Sequence, residues 1–311
     1  MGQKKHLRDF ISEAKHIIKA HIRHFLVLSL TFLFPLSLSL LLSPTLSDLF
    51  NNLFSNNSHT FLPPHTTNPT SLLYYLFLML FSNGGVISIT YSVYHFFHDQ
   101  PVNLVSSFKS IYSFSLPLLA TTIVSQLILF VIYLFYGLLL LLLISRAQFL
   151  HLTLLPHLSP YIIGFFIALP LILVQMYLHV NWTLVYAIVV VESCWGLEPL
   201  RRSARLIKGM KGVALSSIFY YGNFAVIFVL GCFFATRGYN SFSESWIATV
   251  FNWVMIVTYA YFIAMLMLSQ IVVTTVLYIY CKANNDVEIA EEFGKYYISL
   301  PFDDGKVSQV V

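Results

Sequence analysis

Across its 311 residues the chain is 58% hydrophobic and 10% charged, with a mean hydropathy of +0.76 and a net charge of +4. Soluble domains charge about a quarter of their residues, so this composition excludes an ordinary soluble enzyme or binding domain and predicts an all-α, polytopic membrane protein. The basic excess sits in connections, which makes nucleic acid a poor partner, and three scattered Cys offer neither a disulfide framework nor zinc spacing.

Residues 1–23 read as a basic amphipathic surface helix. Arg8, Lys15, Lys19 and Arg23 interleave with Leu7, Phe10, Ile11, Ala14, Ile17, Ile18 and Ile22 at helical spacing. Six apolar segments follow, at about 24–44, 71–97, 112–145, 160–191, 213–235 and 246–281, each long enough for the roughly 20 residues that span a bilayer. They define a membrane domain over 24–281, followed by a polar tail over 282–311. Segment two is interrupted by Asn83, Gly84 and Gly85, a predicted helix break that would expose backbone at mid-membrane. Segments three and four carry Pro117 and Pro170, where kinks absorb excess length.

The first connection, 45–70, holds no Lys or Arg, contains Pro63, Pro64 and Pro69, and includes Asn56-Asn57-Ser58, a glycosylation acceptor at Asn56. With the N-terminus in the cytoplasm, residues 1–23, 98–111, 192–212 and 282–311 carry 15 of the 17 Lys+Arg, and the opposite connections carry the other two. The positive-inside rule therefore predicts both termini in the cytoplasm, and leaves open whether the membrane is the endoplasmic reticulum or the plasma membrane.

The stretch from Glu192 to Gly212 contains five of those basic residues. Read as a helix from Pro199 to just before Gly209, it sets Leu200, Ala204, Ile207 and Met210 on one face and Arg201, Arg205 and Lys208 on another, with Arg202 beside them. Cations in a first helical turn and an anion at a helix C-terminus are both disfavoured by the helix dipole. A pairing of Glu192 with Arg201 or Arg202 would relieve both and clamp this helix to segment four. The remaining cations are candidates for anionic lipid headgroups. Leu104–Ile111 aligns with Leu200–Ile207 at Leu, Ser, a basic residue and Ile, which suggests three units, each a surface helix followed by a membrane hairpin.

No Asp, Glu, Lys or Arg falls inside the six apolar cores, which argues against a proton-coupled pump. Gln126, Gln175, Asn181, Asn223, Asn252 and Gln270 serve either as hydrogen-bonding glue between helices or as the walls of a polar path. His95, His98 and Asp99 close segment two and could relay protons, but no further ligands complete a metal site. Cys194 and Cys281 lie near the cytoplasmic interface, within reach of palmitoylation. No P-loop, dinucleotide fingerprint or nucleophile elbow occurs, and no cofactor is expected.

The run Val189–Gly209, V-V-V-E-S-C-W-G-L-E-P-L-R-R-S-A-R-L-I-K-G, resembles the segment that ends a membrane helix in bacterial multi-pass domains. Those domains occur alone or fused to glycerophosphodiester phosphodiesterases. The whole chain is similar to a plant family of uncharacterised six-span membrane proteins. Here the proline usual shortly before the acid is missing from Tyr186–Val191, and no soluble barrel accompanies the spans. The resemblance implies a membrane fold without the hydrolase. Three functions follow as expectations. The first is a non-enzymatic protein organising lipids or partner proteins through its basic helices, with the acidic tail as a partner-binding end. The second is a transporter or channel for an uncharged or organic solute, and the third a lipid-modifying enzyme using His95, His98 and Asp99. Oligomeric state is left open.

Overall fold

The computed structural model describes residues 7–42, 69–149, 160–240 and 246–299, and no strand occurs among them. Helix α1 (Leu7–Ala20) leads into α2 (Ile22–Leu42), which contains a wide π turn at Ser29–Leu33. Then come α3 (Pro69–Phe97), α4 (Leu104–Phe149), α5 (Pro160–Asn181) and α6 (Val185–Glu192). Helix α7 (Leu197–Leu206) passes through a 3₁₀ turn, Ile207–Met210, into α8 (Lys211–Asn240), and α9 (Trp246–Ser299) completes the described chain. Six stretches are long and apolar enough to cross a membrane: Ile22–Leu42, Leu73–Phe97, Leu104–Leu142, Ile167–Glu192, Leu197–Ala235 and Thr249–Asn285. The chain is built as a multi-pass membrane protein.

Contacts gather one set of helix ends together. His21 stacks on Phe96 at 3.8 Å between ring centroids, and Phe97 meets Tyr280 edge-on. Lys282 lies 3.5 Å from Glu192. This basic end therefore holds α1, the C-termini of α3 and α6, the N-terminus of α4, and α7.

Helix α9 is the pillar of the bundle. Ala260, Ala264, Leu268, Val272 and Val276 recur every four residues, so they form one buried stripe. Phe10 and Ala14 of α1, Phe25 and Leu28 of α2, and Ile89 and Val93 of α3 belong to the same core. By contrast Leu127, Phe130, Val131, Leu134 and Phe135 of α4 are exposed, as suits a helix turned toward lipid. Apolar side chains gain nothing by leaving hydrocarbon for one another, so close approach and polar contacts must hold such helices. Ser37 Oγ donates to the Ala260 carbonyl at 2.8 Å, and the Tyr221 and Ser269 hydroxyls meet at 2.7 Å. His24 Nε2 lies 3.0 Å from Ser92 Oγ and 3.3 Å from Ser107 Oγ, tying α2, α3 and α4 together.

Three sequence expectations need correction. Helix α3 runs unbroken through Asn83, Gly84 and Gly85. A Cβ on Gly84 would stand 2.8 Å from the Phe32 ring, and one on Gly85 3.0 Å from Leu33, so the glycines serve close packing against the π turn of α2. The interruption falls instead at Trp182–Leu184, between α5 and α6. The connection expected over 98–111 ends by Leu104, where α4 begins. The polar tail expected from 282 begins as an unbroken continuation of the last helix, to Ser299. Asn56 lies outside the described residues.

Candidate functional site

The α6–α7 junction is set by two left-handed residues. Ser193, at φ 55°, ends α6 with its N–H on the Val189 carbonyl at 3.1 Å. Gly196, at φ 79° and ψ −128°, occupies a region open essentially only to glycine and turns the chain into α7. Its N–H donates to Thr121 Oγ1 at 3.1 Å. Helix α7 then folds back against α6. Leu200, 4% exposed, packs among Ile87, Leu118, Val185, Val189 and Val190. Ser203 Oγ donates to the Asn181 carbonyl at 2.6 Å and accepts the Leu184 N–H at 3.3 Å, satisfying groups freed where α5 breaks into α6.

Because α7 starts at Leu197, the helix geometry departs from the sequence reading. Glu198 occupies the favourable first turn, and Arg201 and Arg202 fall in the second. Gly209 lies within the 3₁₀ turn and not beyond a helix end. Arg201, Arg205 and Lys208 point outward, exposed, while Arg202 turns toward Glu192. The Glu192 side chain is only 8% exposed. Arg202 Nε stands 2.8 Å from its Oε2, close enough for charge pairing although no N–H is aimed at that oxygen. The Tyr278 hydroxyl donates to Oε1 at 2.7 Å, and Lys282 Nζ stands 3.5 Å from the same oxygen. Two cations and a hydroxyl thus compensate an anion that burial and the helix dipole both oppose. Beside it, burial, with the carboxylates of Glu198 and Glu192, pushes the Cys194 thiol above its ordinary pKa.

Directly against this junction lies a cavity of about 580 Å³. Asn83 of α3, Gln126 of α4 and Gln270 of α9 line it, each near the middle of its apolar span. Among the described residues, the lining contains no Asp, Glu, Lys or Arg, and those three amides make no side-chain hydrogen bond. Five of the six lining threonines behave differently. Thr121 and Thr122 donate to the carbonyls of Pro117 and Leu118, Thr183 to His179, and Thr274 and Thr275 to Gln270 and Ile271. Their protons are committed to their own helices, so they offer the cavity oxygen lone pairs. Leu200 of α7 completes the lining at the basic end, and Met79, Met267, Trp182 and Tyr186 add apolar and aromatic surface.

A family model described as a domain of unknown function, DUF8558, matches residues 3–293. The chain belongs to that family. No curated protein and no solved structure matches it.

In this DUF8558 chain the sequence-predicted residues fall into separate places. Glu192 and Arg202 come together; Arg201, Arg205 and Lys208 stay on the outer face of α7. Asn83 lines the cavity, whereas Gly84 and Gly85 face α2. Gln175, also in the lining, accepts the Tyr133 hydroxyl at 2.8 Å, and Asn181 and Asn223 donate to carbonyls one turn back on their own helices. His95 and His98 are used locally, with Nδ1 of each 2.6 Å from Gln100 Oε1 and 2.8 Å from the Tyr94 carbonyl, respectively. Cys281 is buried in the main core. Among the described residues no group of three His, Cys, Asp or Glu could hold a metal ion. The aligned stretches also diverge: Leu104 opens the long α4, while Leu200 sits in the short α7. Their matching serines, Ser107 and Ser203, are both fully buried. Sequence reasoning missed Ser203, Tyr278 and Leu200 as site residues, because a lone Ser, Tyr or Leu in an apolar context carries no signal of its own.

Proposed function

We propose that this chain is a non-enzymatic integral membrane protein that takes an uncharged organic solute into the cavity between its spans, as a carrier does. The cavity carries this reading. At about 580 Å³ it matches the size of sites that hold one small organic molecule. Among the described residues its lining holds no Asp, Glu, Lys or Arg, so an ionic solute would find no fixed counter-charge beyond what His179 could supply, at a cost of several kcal/mol. Hydroxyl groups that present lone pairs, beside three free amides, favour a solute that brings its own donors. The aromatic and Met surface favours one with an apolar face. A neutral, hydroxyl- or N–H-bearing molecule with an apolar side satisfies both.

The test is thermal unfolding of the purified protein against a panel of neutral polyols, amides and hydroxylated aromatics, with charged analogues as controls. A ligand at a hundred times its Kd should stabilise by about 2.7 kcal/mol. Gln126→Leu and Gln270→Leu should each weaken that stabilisation, and reconstituted vesicles should show flux of the same compound. Stabilisation by charged analogues alone, or unchanged stabilisation in both variants, would overturn the reading.

A second reading is favoured by the outward cations of α7. With the N-terminus in the cytoplasm, Arg201, Arg205 and Lys208 face the headgroups of the inner leaflet, each contributing about 1 kcal/mol toward anionic lipid. The protein would then organise such lipids, or partner proteins, at its cytoplasmic face. Salt-sensitive preference for anionic lipid that survives charge reversal of all three unchanged would count against it.

A further inference from the structure

We infer that α7 is the gate of the cavity at the basic end, and that the Glu192 cluster is the latch that holds it shut. The inference rests on the solute reading of the cavity, but its test reads solvent access and so can fail independently.

Three layers stack along α9 at this end. Thr274 and Thr275 line the cavity. Tyr278, fully buried, comes three residues after Thr275, about 4.5 Å further along the helix. Lys282 comes one turn later and is 36% exposed on its side chain. Across from these layers, α7 supplies Leu200 to the cavity lining and Arg202 to the charged cluster. One short helix therefore separates the cavity from the charged surface.

The helix is also built to move as a unit. Its N-terminal connection, Ser193–Gly196, contains two left-handed residues, and its C-terminal connection is a 3₁₀ turn, a frequent form of hinge. Between them, its grip on the bundle combines the buried Pro199 and Leu200 with a set of polar contacts. Ser203 holds the α5–α6 break, Arg202 holds Glu192, and Glu192 in turn holds Tyr278 of the pillar. Those polar contacts exchange for water or headgroups at small net cost, which leaves Pro199 and Leu200 as the apolar contacts that opening must break. Swinging α7 away would give Arg202 to the surface and carry Leu200 out of the floor.

The experiment uses the full-length chain with Cys194, Cys232 and Cys281 replaced by Ala and one reporter, Ser217→Cys, on the α8 wall of the cavity. In sealed vesicles of known orientation, a membrane-impermeant methanethiosulfonate is added from the basic side or from the opposite side. Parent protein should label slowly from the basic side. Glu192→Gln should raise that rate at least tenfold without changing the rate from the other side. Tyr278→Phe, which keeps the ring and removes only the hydroxyl, should raise it less and guards against misfolding of the first variant. Unchanged basic-side labelling in both variants, with melting temperatures intact, would overturn the gate. An equal rise from both sides would overturn it too, because a loosened bundle and not a gate would be the cause. Failure of every solute to bind, with the labelling pattern as expected, would overturn the solute reading alone.

Discussion

Helices α1 and α7 are both short, both basic on their outer face, and both docked on α9 at the same end, yet they are held by different physics. Helix α1 buries Phe10 and Ala14 in the main core, sets Phe10 edge-on to Tyr280 at 5.5 Å, and accepts the Tyr280 hydroxyl at Glu13 at 2.9 Å. Helix α7 also buries Pro199 and Leu200, but it adds a set of charge and hydroxyl contacts: Arg202 on Glu192, Tyr278 on Glu192, and Ser203 on the α5–α6 break. Helix α1 contributes nothing to the cavity lining, while α7 contributes Leu200. Apolar docking suits a permanent attachment. Polar docking in a half-buried place suits one that is made and broken.

The largest effect that can break this comparison is on α1. Phe10→Ala removes a fully buried ring and should cost about 3 kcal/mol of stability in thermal unfolding. It should leave stabilisation by a cavity ligand unchanged; loss of that too would mean the two helices are not separate in role. Next comes Arg202→Ala. Removing one partner of a buried pair costs about 3–5 kcal/mol, but Arg202 is 39% exposed and Lys282 remains beside Glu192, so about 2 kcal/mol is expected. Raising salt should narrow the gap between this variant and the parent. For Phe10→Ala the gap should not change, so equal salt response would erase the contrast.

Ser203→Ala should cost about 1–2 kcal/mol, since it strands the Leu184 N–H and the Asn181 carbonyl. Ser203→Thr, which keeps a hydroxyl, should recover part of it. The smallest effect is kinetic. Because the Cys194 thiol is held above its ordinary pKa, less thiolate is present at pH 7 than in an unperturbed thiol. Alkylation of Cys194 should therefore be slow at pH 7 and keep rising beyond the usual thiol range. Glu198→Gln should shift that profile to lower pH by removing one of the causes, whereas an unshifted profile would leave burial and Glu192 as its origin.

The spans were legible because uninterrupted apolar length is a one-dimensional property, and each expected segment overlaps one of the six apolar helices. Breaks were not legible. Asn83-Gly84-Gly85 has the composition of an interruption, but glycines also permit close approach, and only the ring of Phe32 across the interface decides between the two. At Trp182–Leu184 no Gly or Pro announces the break, and its support comes from Ser203, distant in sequence. Opposing dipoles place an arginine beside Glu192, but the choice of Arg202 depends on where α7 starts, which Gly196 determines. The cavity was the least legible part. Gln126 and Gln270 look alike as glue or as lining, and what separates the roles is whether a partner helix fills the space they face.

Tyr278 and Tyr280 stand two residues apart on α9, so their side chains leave the helix about 200° from one another. One grips Glu192 beside α7 and the other grips Glu13 of α1. The pillar is therefore also an axle. Any twist of α9 about its own length is felt at both glutamates at once.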